Sequence, residues 1–351
     1  MEDSKTSHGL AELLRDEIKN RWREFLDIGP HRGLKILITN RHNPYNPDNQ
    51  CLYLDSMGLS KEDYGGIFKI VPKEKEEIGE VGGNQISSIS GNNALTIGSW
   101  NIQLGIRHEK IIELLQDGFG LDVVALQEVT RFHKWSNYED LLDVIVGKTC
   151  FTNITYAPSF IFPNEKTRPF PELGNAILSR HSLSEGRVIR LGQVHDWHKD
   201  KPYPRLGERV ALYSTVQING GIGVYCTQLE VRCPTSARVK QLGQIFDDAD
   251  SVGNPRVVVV GDFNEWALIK PKYETDEITQ LAIQRGYDDH FGESSSHTNN
   301  IRLLAKLCRL FGSKFTLDRI MSKGFRVKEF DVMYNINLTD HFPVKAVFGY
   351  K

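Results

Sequence analysis

Cysteine is scarce. The 351-residue chain holds five, Cys51, Cys150, Cys226, Cys233 and Cys308, with no C-x-x-C pair among them. An odd number of widely spaced thiols excludes a disulfide framework and a cysteine zinc site, and is expected of a reducing, intracellular compartment. An excess of charge of one sign is also missing. The 43 basic side chains face 45 acidic ones, a formal net charge of -2, which excludes nucleic-acid binding by bulk electrostatics and leaves any polyanion to be read by a local site. No apolar run approaches the roughly 18 residues that span a bilayer, so no transmembrane segment is predicted. The first thirty residues begin Met1-Glu2-Asp3-Ser4 and space their apolar positions periodically, unlike a signal peptide, which predicts a cytoplasmic or nuclear protein. No internal repeat or low-complexity tract is visible.

What remains is an ordinary globular composition, 40% apolar and 25% charged, which is enough to bury a core and excludes wholesale disorder. Leu10, Leu14, Ile18, Trp22 and Phe25 recur at spacings of three and four, predicting an amphipathic helix over 10–28 that stops at Gly29-Pro30. Short apolar stretches at 34–38, 51–54 and 67–71 predict a small β-rich extension, and the charged, then Gly/Ser/Asn-rich, run 72–92 predicts a linker. Residues 1–92 therefore form an extension, and 93–351 a separate domain.

From Leu95 onwards strand and helix patterns alternate, which favours stacked layers of sheet and helix. Strands are predicted at 95–100, 123–126, 176–178, 210–216, 223–227 and 257–260, with a hairpin about Asn219-Gly220. Helices are predicted at 109–115, after a capping box formed by Ser136 and Glu139, and from a Thr235 cap to about Asp250.

Polar residues stand where these strands end. Trp100-Asn101, Gln127-Glu128 and Gly261-Asp262-Phe263-Asn264 close three of them, Thr339-Asp340-His341 precedes the last apolar run, and Asp318 sits in an apolar context. The set supplies hard oxygen ligands in Asn101, Glu128, Asp262 and Asp340, one nearby amide in Asn264 and one imidazole in His341. Such donors suit Mg2+ or Mn2+ and not zinc. An ion of that kind can stabilise charge on a phosphoryl group while an Asp activates water. Asp318 would hold His341 in one tautomer and favour its charged form.

These segments, together with Gly174-Asn175-Ala176-Ile177-Leu178-Ser179-Arg180 and Leu317-Asp318-Arg319-Ile320, resemble the endonuclease/exonuclease/phosphatase superfamily of metal-dependent phosphoesterases, in order and in spacing over about 95–350. The resemblance implies a four-layer α/β sandwich of two mixed β-sheets flanked by helices. It implies Asn101 and Glu128 on the metal side, Asp262 as the residue preparing the attacking water, Asn264 as an amide on the phosphate and Asp340 as a further metal or water contact. It also implies His341 as the transition-state donor and Asp318 as its orienting partner. One position departs from the family: Gln228 stands where many members have a His in Thr-His-Leu, and Gln cannot carry positive charge or transfer a proton. Gln228→His is expected to restore a charge-bearing contact.

The expectation is an Mg2+- or Mn2+-dependent phosphoesterase cleaving a phosphodiester, with DNA or RNA as first candidate and Gln228, Asn264 and His341 on the phosphate. A small-molecule or phosphoinositide-type lipid phosphatase is the alternative within enzymes, and a non-catalytic binding module on the same fold is the alternative outside them. Two accessory features are open. The run Arg187 to Arg209 interleaves basic residues with Trp197 and Tyr203, and reads either as a loop holding a polyanion and stacking a base or as a solvated loop. No partner ligands support zinc at His195 and His198. The amphipathic stretch Ile301 to Phe311 reads as a surface helix before it reads as a charge-steering one.

Overall fold

The computed structural model describes residues 68–70, 94–163, 170–184, 186–200, 203–265, 276–290 and 317–349. The predicted helix over 10–28, the stretches at 34–38 and 51–54, the linker 72–92 and the helix over 301–311 lie outside the described residues. Of the extension, only Phe68–Ile70 (β1) is described, pairing antiparallel with residues 154–156.

In chain order the remaining elements run Ala94–Asn101 (β2), His108–Gln116 (α1), Val123–Arg131 (β3), Leu141–Lys148 (α2), Asn153–Ile161 (β4), Glu172–Ser179 (β5) and Arg187–Arg190 (β6). It continues through Leu206–Gly207 (β7), Val210–Val216 (β8), Ile222–Gln228 (β9), Thr235–Val252 (α3), Val257–Asp262 (β10), Glu277–Gln284 (α4) and Asp288–Asp289 (β11). Asp318–Lys323 (β12), Arg326–Val332 (β13) and Val344–Gly349 (β14) complete it.

One sheet has the order β1-β4-β5-β3-β2-β14-β13, with β7 paired to β4, and the other β11-β12-β10-β9-β8-β6. Each sheet is mixed, since β2–β3 and β9–β10 are parallel and the remaining pairs antiparallel. Alternation along the strands builds the layers. Leu95, Ile97, Val123 and Ala125 from one sheet meet Leu212, Val224, Cys226, Val258, Val260 and Ile320 from the other in a central core. The opposite faces carry the helices: Val124 and Leu126 pack with Ile111, Leu115 and Ile145, while Tyr225, Val257 and Val259 pack with Leu242, Ile245, Phe246 and Ile278. All four valines of β10 are buried because both faces of that strand are covered. The architecture is the four-layer sandwich anticipated from the sequence.

Several local expectations are corrected. Ser136 does not cap a helix; its hydroxyl donates within a turn to the carbonyls of His133 and Glu139, and α2 starts five residues later, where Asp140 accepts from Leu142 N–H. Thr235 is the first helical residue of α3 and Pro234 occupies the cap, a position suited to its fixed φ. The run 187–209 is not a plain loop: it contains β6, a short 3-10 turn at Trp197–Lys199 and β7.

β10 and β9 approach so closely that Gly261, at φ +151, has no room for a side chain. A Cβ there would stand 1.9 Å from the Thr227 carbonyl oxygen. Gly261→Ala is therefore expected to cost about 2 kcal/mol or more of unfolding free energy, measured by urea denaturation. A midpoint equal to wild type would contradict this account of the β9–β10 contact.

Candidate active site

The site begins with strand register. Asp262 on β10 stands opposite Gln228 on β9 and opposite Asp318 on β12. These three side chains thus form one transverse row at the end of the second sheet, continuing the inward alternation of Val258 and Val260. Asn101 ends β2 on the face of the first sheet that carries Leu95 and Ile97. Glu128 follows a different rule. After Val124 and Leu126, alternation would send it toward the helices, but the β3–β5 register shifts between Leu126 and Val129 and Glu128 adopts φ 59. The bulge re-aims its carboxylate into the cleft between the sheets.

Seven residues then meet. Asn101 Nδ2 donates to Glu128 Oε1 at 3.2 Å and to Asp262 Oδ2 at 3.1 Å. Gln228 Nε2 donates to the same two oxygens at 2.8 and 3.2 Å. Two carboxylates are thus bridged by two amide nitrogens, which satisfy the charges without neutralising them. Asp262 Oδ1 accepts from Asn264 N–H at 2.9 Å, and Asn264 Nδ2 donates to the Leu229 carbonyl at 2.9 Å, tying the ends of β9 and β10 together. His341 Nδ1 bonds Asp318 Oδ2 at 2.7 Å, leaving Nε2 3.9 Å from Asp262 Oδ2.

Asp318 therefore belongs to His341 and not to the adjacent Arg319, which pairs with Asp276 and Asp289. The loop carrying His341 is pinned by Thr339: its hydroxyl accepts from Trp100 Nε1 at 3.0 Å and from His341 N–H at 3.2 Å, and donates to the Asn101 carbonyl at 3.0 Å. Trp100, Thr339 and Asn101 thereby fix the loop carrying His341 against the end of β2.

Burial opposes charge on His341, but Asp318, Asp262 and Asp340 together outweigh it and hold the imidazolium well above its usual range. Burial also raises Asp262, against the opposing pull of His341, the Asn264 N–H and the Asn101 amide, with Glu128 adding to the rise. A carboxylate whose folded pKa is raised destabilises the fold once it ionises, so at neutral pH ionised Asp262 weakens the native state.

Gln228 lies in this site and not in the core, and Arg209 donates to its Oε1. Arg209 fixes which end of the amide faces the carboxylates and brings a buried positive charge behind it. This partner was missed in sequence beyond its place in a basic run. The hairpin register, Ala211 opposite Thr227, brings residue 209 beside residue 228 and was the available signal. Thr339 likewise stands out in the sequence only as the start of the segment before the last apolar run.

The donors of Asp262, Asp318 and His341 lie within 4.8 Å of one another. A protonated imidazole is no metal ligand; His341 is hydrogen-bonded to Asp318 and stands at ion-pair distance, 3.9 Å, from Asp262. Asn101 departs from the expected oxygen ligand: its Oδ1 accepts from Gln103 N–H at 3.0 Å, and its nitrogen meets the carboxylates. The hard oxygens of Glu128 and Asp262, facing the same two amide nitrogens, are the donor set that fits a divalent cation such as Mg2+ or Mn2+. Asp340 is half-buried and adds its charge next to His341. His195 Nε2 bonds Asp200 and Arg232.

Two stacked mixed sheets whose strand ends gather a carboxylate pair, amide donors and a carboxylate-held imidazolium define a phosphoester hydrolase. The chain belongs to the endonuclease/exonuclease/phosphatase family, which matches residues 98–341 and whose members are generally dependent on a divalent metal. No curated protein matches in sequence. Among solved structures, an endonuclease/exonuclease/phosphatase from Beutenbergia cavernae is similar at 17% identity and TM-score 0.54, over 73% of this chain and 72% of that one. A family protein from Bacteroides thetaiotaomicron is similar at 16% identity and TM-score 0.51, over 74% and 98%. A D. rerio TDP2 humanized by 14 mutations follows at 16% and 0.50, over 73% and 99%. At these identities the likeness is one of fold. No helix among the described residues is long and apolar enough to cross a membrane.

Relieving the buried charge of Asp262 is expected to stabilise the protein. In EDTA at pH 7, Asp262→Asn should melt a few degrees above wild type, whereas millimolar Mg2+ should raise the melting temperature of wild type more than that of the variant. Differential scanning calorimetry decides; a variant that melts lower in EDTA and responds equally to Mg2+ would contradict the placement of charge described here.

Proposed function

We propose that the protein is an Mg2+- or Mn2+-dependent phosphodiesterase with nucleic acid as its first candidate substrate. The observation that carries this reading is Asp262, a buried carboxylate 3.9 Å from an imidazole nitrogen and bridged through amides to a second carboxylate, Glu128. Glu128, whose Oε1 faces the same two amide nitrogens as Asp262, would hold the cation, which when bound would supply positive charge for developing phosphoryl oxygens, with Asp340 proposed as a further metal or water contact.

The chain's own residues do the rest. Asp262, held by the Asn264 N–H, orients water for in-line attack on phosphorus and accepts its proton, a role favoured by the upward shift of its pKa. His341, kept charged by Asp318, donates from Nε2 to a phosphoryl oxygen as negative charge accumulates there. Gln228, with its amide orientation fixed by Arg209, and the remaining N–H of Asn264 hold the other oxygens. The non-catalytic reading rests on Gln228, which cannot carry charge; Arg209, donating to its Oε1, supports the catalytic reading by bringing a positive charge to the same position.

Asp262→Asn is expected to lower kcat by at least about 10²-fold on a phosphodiester at matched metal concentration, and the test is hydrolysis of bis(p-nitrophenyl) phosphate and of single- and double-stranded oligonucleotides with Mg2+, Mn2+ or EDTA. Activity within a few-fold of wild type would remove Asp262 from its role, and hydrolysis of phosphomonoesters alone would redirect the reading to a phosphatase.

Arg209 also revises the expectation for Gln228→His. Once a divalent cation offsets the Glu128 and Asp262 carboxylates, which lie 2.8 and 3.2 Å from the Gln228 amide nitrogen, the guanidinium donating at this position opposes a second positive charge, so the new imidazole stays neutral near pH 7. The predicted change in kcat/KM is less than tenfold in either direction, with no new ionisation between pH 6 and 8. A gain of a hundredfold with a new acid limb in the pH profile would show that Arg209 does not govern the position.

A further inference from the structure

Beside the catalytic row lies a second polar network, assembled from the basic run 187–209 and the loop after β9. Trp197 is buried at 4% exposure and its Nε1 donates to Glu230 Oε2 at 2.8 Å. It therefore cannot stack a substrate base. Three guanidinium groups surround its ring instead, those of Arg205, Arg232 and Arg209, at 4.2, 5.0 and 5.3 Å from the centroid. Such contacts favour a cation whose hydration has been stripped away.

Two of the three are matched. Arg232 pairs with Asp200 at 2.6 Å. Arg209 lies 3.6 Å from Glu230 and donates to Gln228. Among the described residues Arg205 has no acid of its own: its side chain meets the faces of Trp197 and, at 5.5 Å, Phe160, and its buried Nε has no hydrogen-bond partner there. It is held rigidly all the same. Its backbone N–H donates to the Trp197 carbonyl at 3.1 Å, and the next two residues pair with Phe160 and Ile161.

Burial and repulsion from Arg209 lower its pKa to about 10, while Glu128, Asp200 and Glu230 act in the opposite sense. The group is thus cationic at neutral pH and within electrostatic reach of Glu128, at the edge of the proposed hydrolytic centre. Residue 205 keeps part of its surface exposed although its Nε is buried. A planar fork of N–H donors, fixed in place and lacking hydrogen-bond acceptors, is suited to phosphate oxygens.

We propose that Arg205 forms an anion subsite next to the cleaved phosphate and takes a second phosphate of the same substrate. The proposal rests on the phosphoesterase reading and narrows it to substrates with successive phosphates. That chemistry is shared by an oligonucleotide and by a small molecule carrying a phosphoanhydride, and the arms of the test separate them.

Isothermal titration of the full chain, wild type, Arg205→Ala and Arg205→Lys, would use inorganic phosphate, inorganic pyrophosphate and a phosphorothioate trithymidylate at fixed ionic strength and free Mg2+. Wild type is expected to bind at least one of the two multiphosphate probes about tenfold tighter than inorganic phosphate, and Arg205→Ala to lose that preference. Loss confined to the trithymidylate assigns the subsite to nucleic acid, and loss confined to pyrophosphate assigns it to the small molecule. Arg205→Lys, which keeps the charge without the fork, should fall between them, and it decides the matter if Arg205→Ala does not melt cooperatively. Equal binding of all three probes by wild type, or unchanged preference in both variants, overturns the proposal. Because binding is read without turnover, a wild type that binds as expected but hydrolyses nothing counts against the phosphodiesterase reading and not against the subsite.

Discussion

The register that aligns Gln228, Asp262 and Asp318 in one row is the constraint on which the rest of the site depends. Two carboxylates in adjacent strands, both buried, repel unless each finds a separate answer. Asp318 finds it in His341, which its charge helps to keep protonated. Asp262 finds it in amide donors from both sheets, and through them is coupled to Glu128. Shifting β10 by one residue would send Asp262 to the helix-covered face and dissolve the whole arrangement. Gly261 protects that register by letting β10 lie against β9 at a distance no other residue permits.

Around this row the protein spends further buried polar groups on fixing directions. Thr339 ties the His341 loop to the end of β2, Asn264 ties the ends of β9 and β10, and Arg209 orients Gln228. Behind Arg209, the arginines packed on Trp197 turn a basic segment into an ordered wall of the cleft. The positive charge that a histidine at position 228 would carry is thus supplied from behind Gln228, by the Arg209 guanidinium.

Much of this was legible in the sequence because an apolar strand that ends in a polar residue announces both its face and its terminus. Val257 to Val260 followed by Gly261-Asp262 did so, as did Leu95 to Trp100 followed by Asn101, and the family pattern gave the sandwich. Glu128 was legible as a site residue but not in its direction, because a bulge and a positive φ, not alternation, aim it. β4 escaped notice because Pro158 interrupts it at an irregular register, and β13 because its residues are mostly exposed and polar at the sheet edge. The partners of Trp197 escaped because arginines read as surface charge until an aromatic ring and acids from distant segments cover them.

The central claim is that this row of side chains directs water onto phosphorus. Hydrolysis of a phosphodiester by the wild-type protein in 18O-labelled water, followed by 31P NMR of the products, tests it most directly. The account predicts one solvent oxygen in the phosphate product, seen as an upfield isotope shift, and none in the released alcohol. Label in the alcohol, or no hydrolysis of any phosphoester with Mg2+ or Mn2+ present, would contradict it.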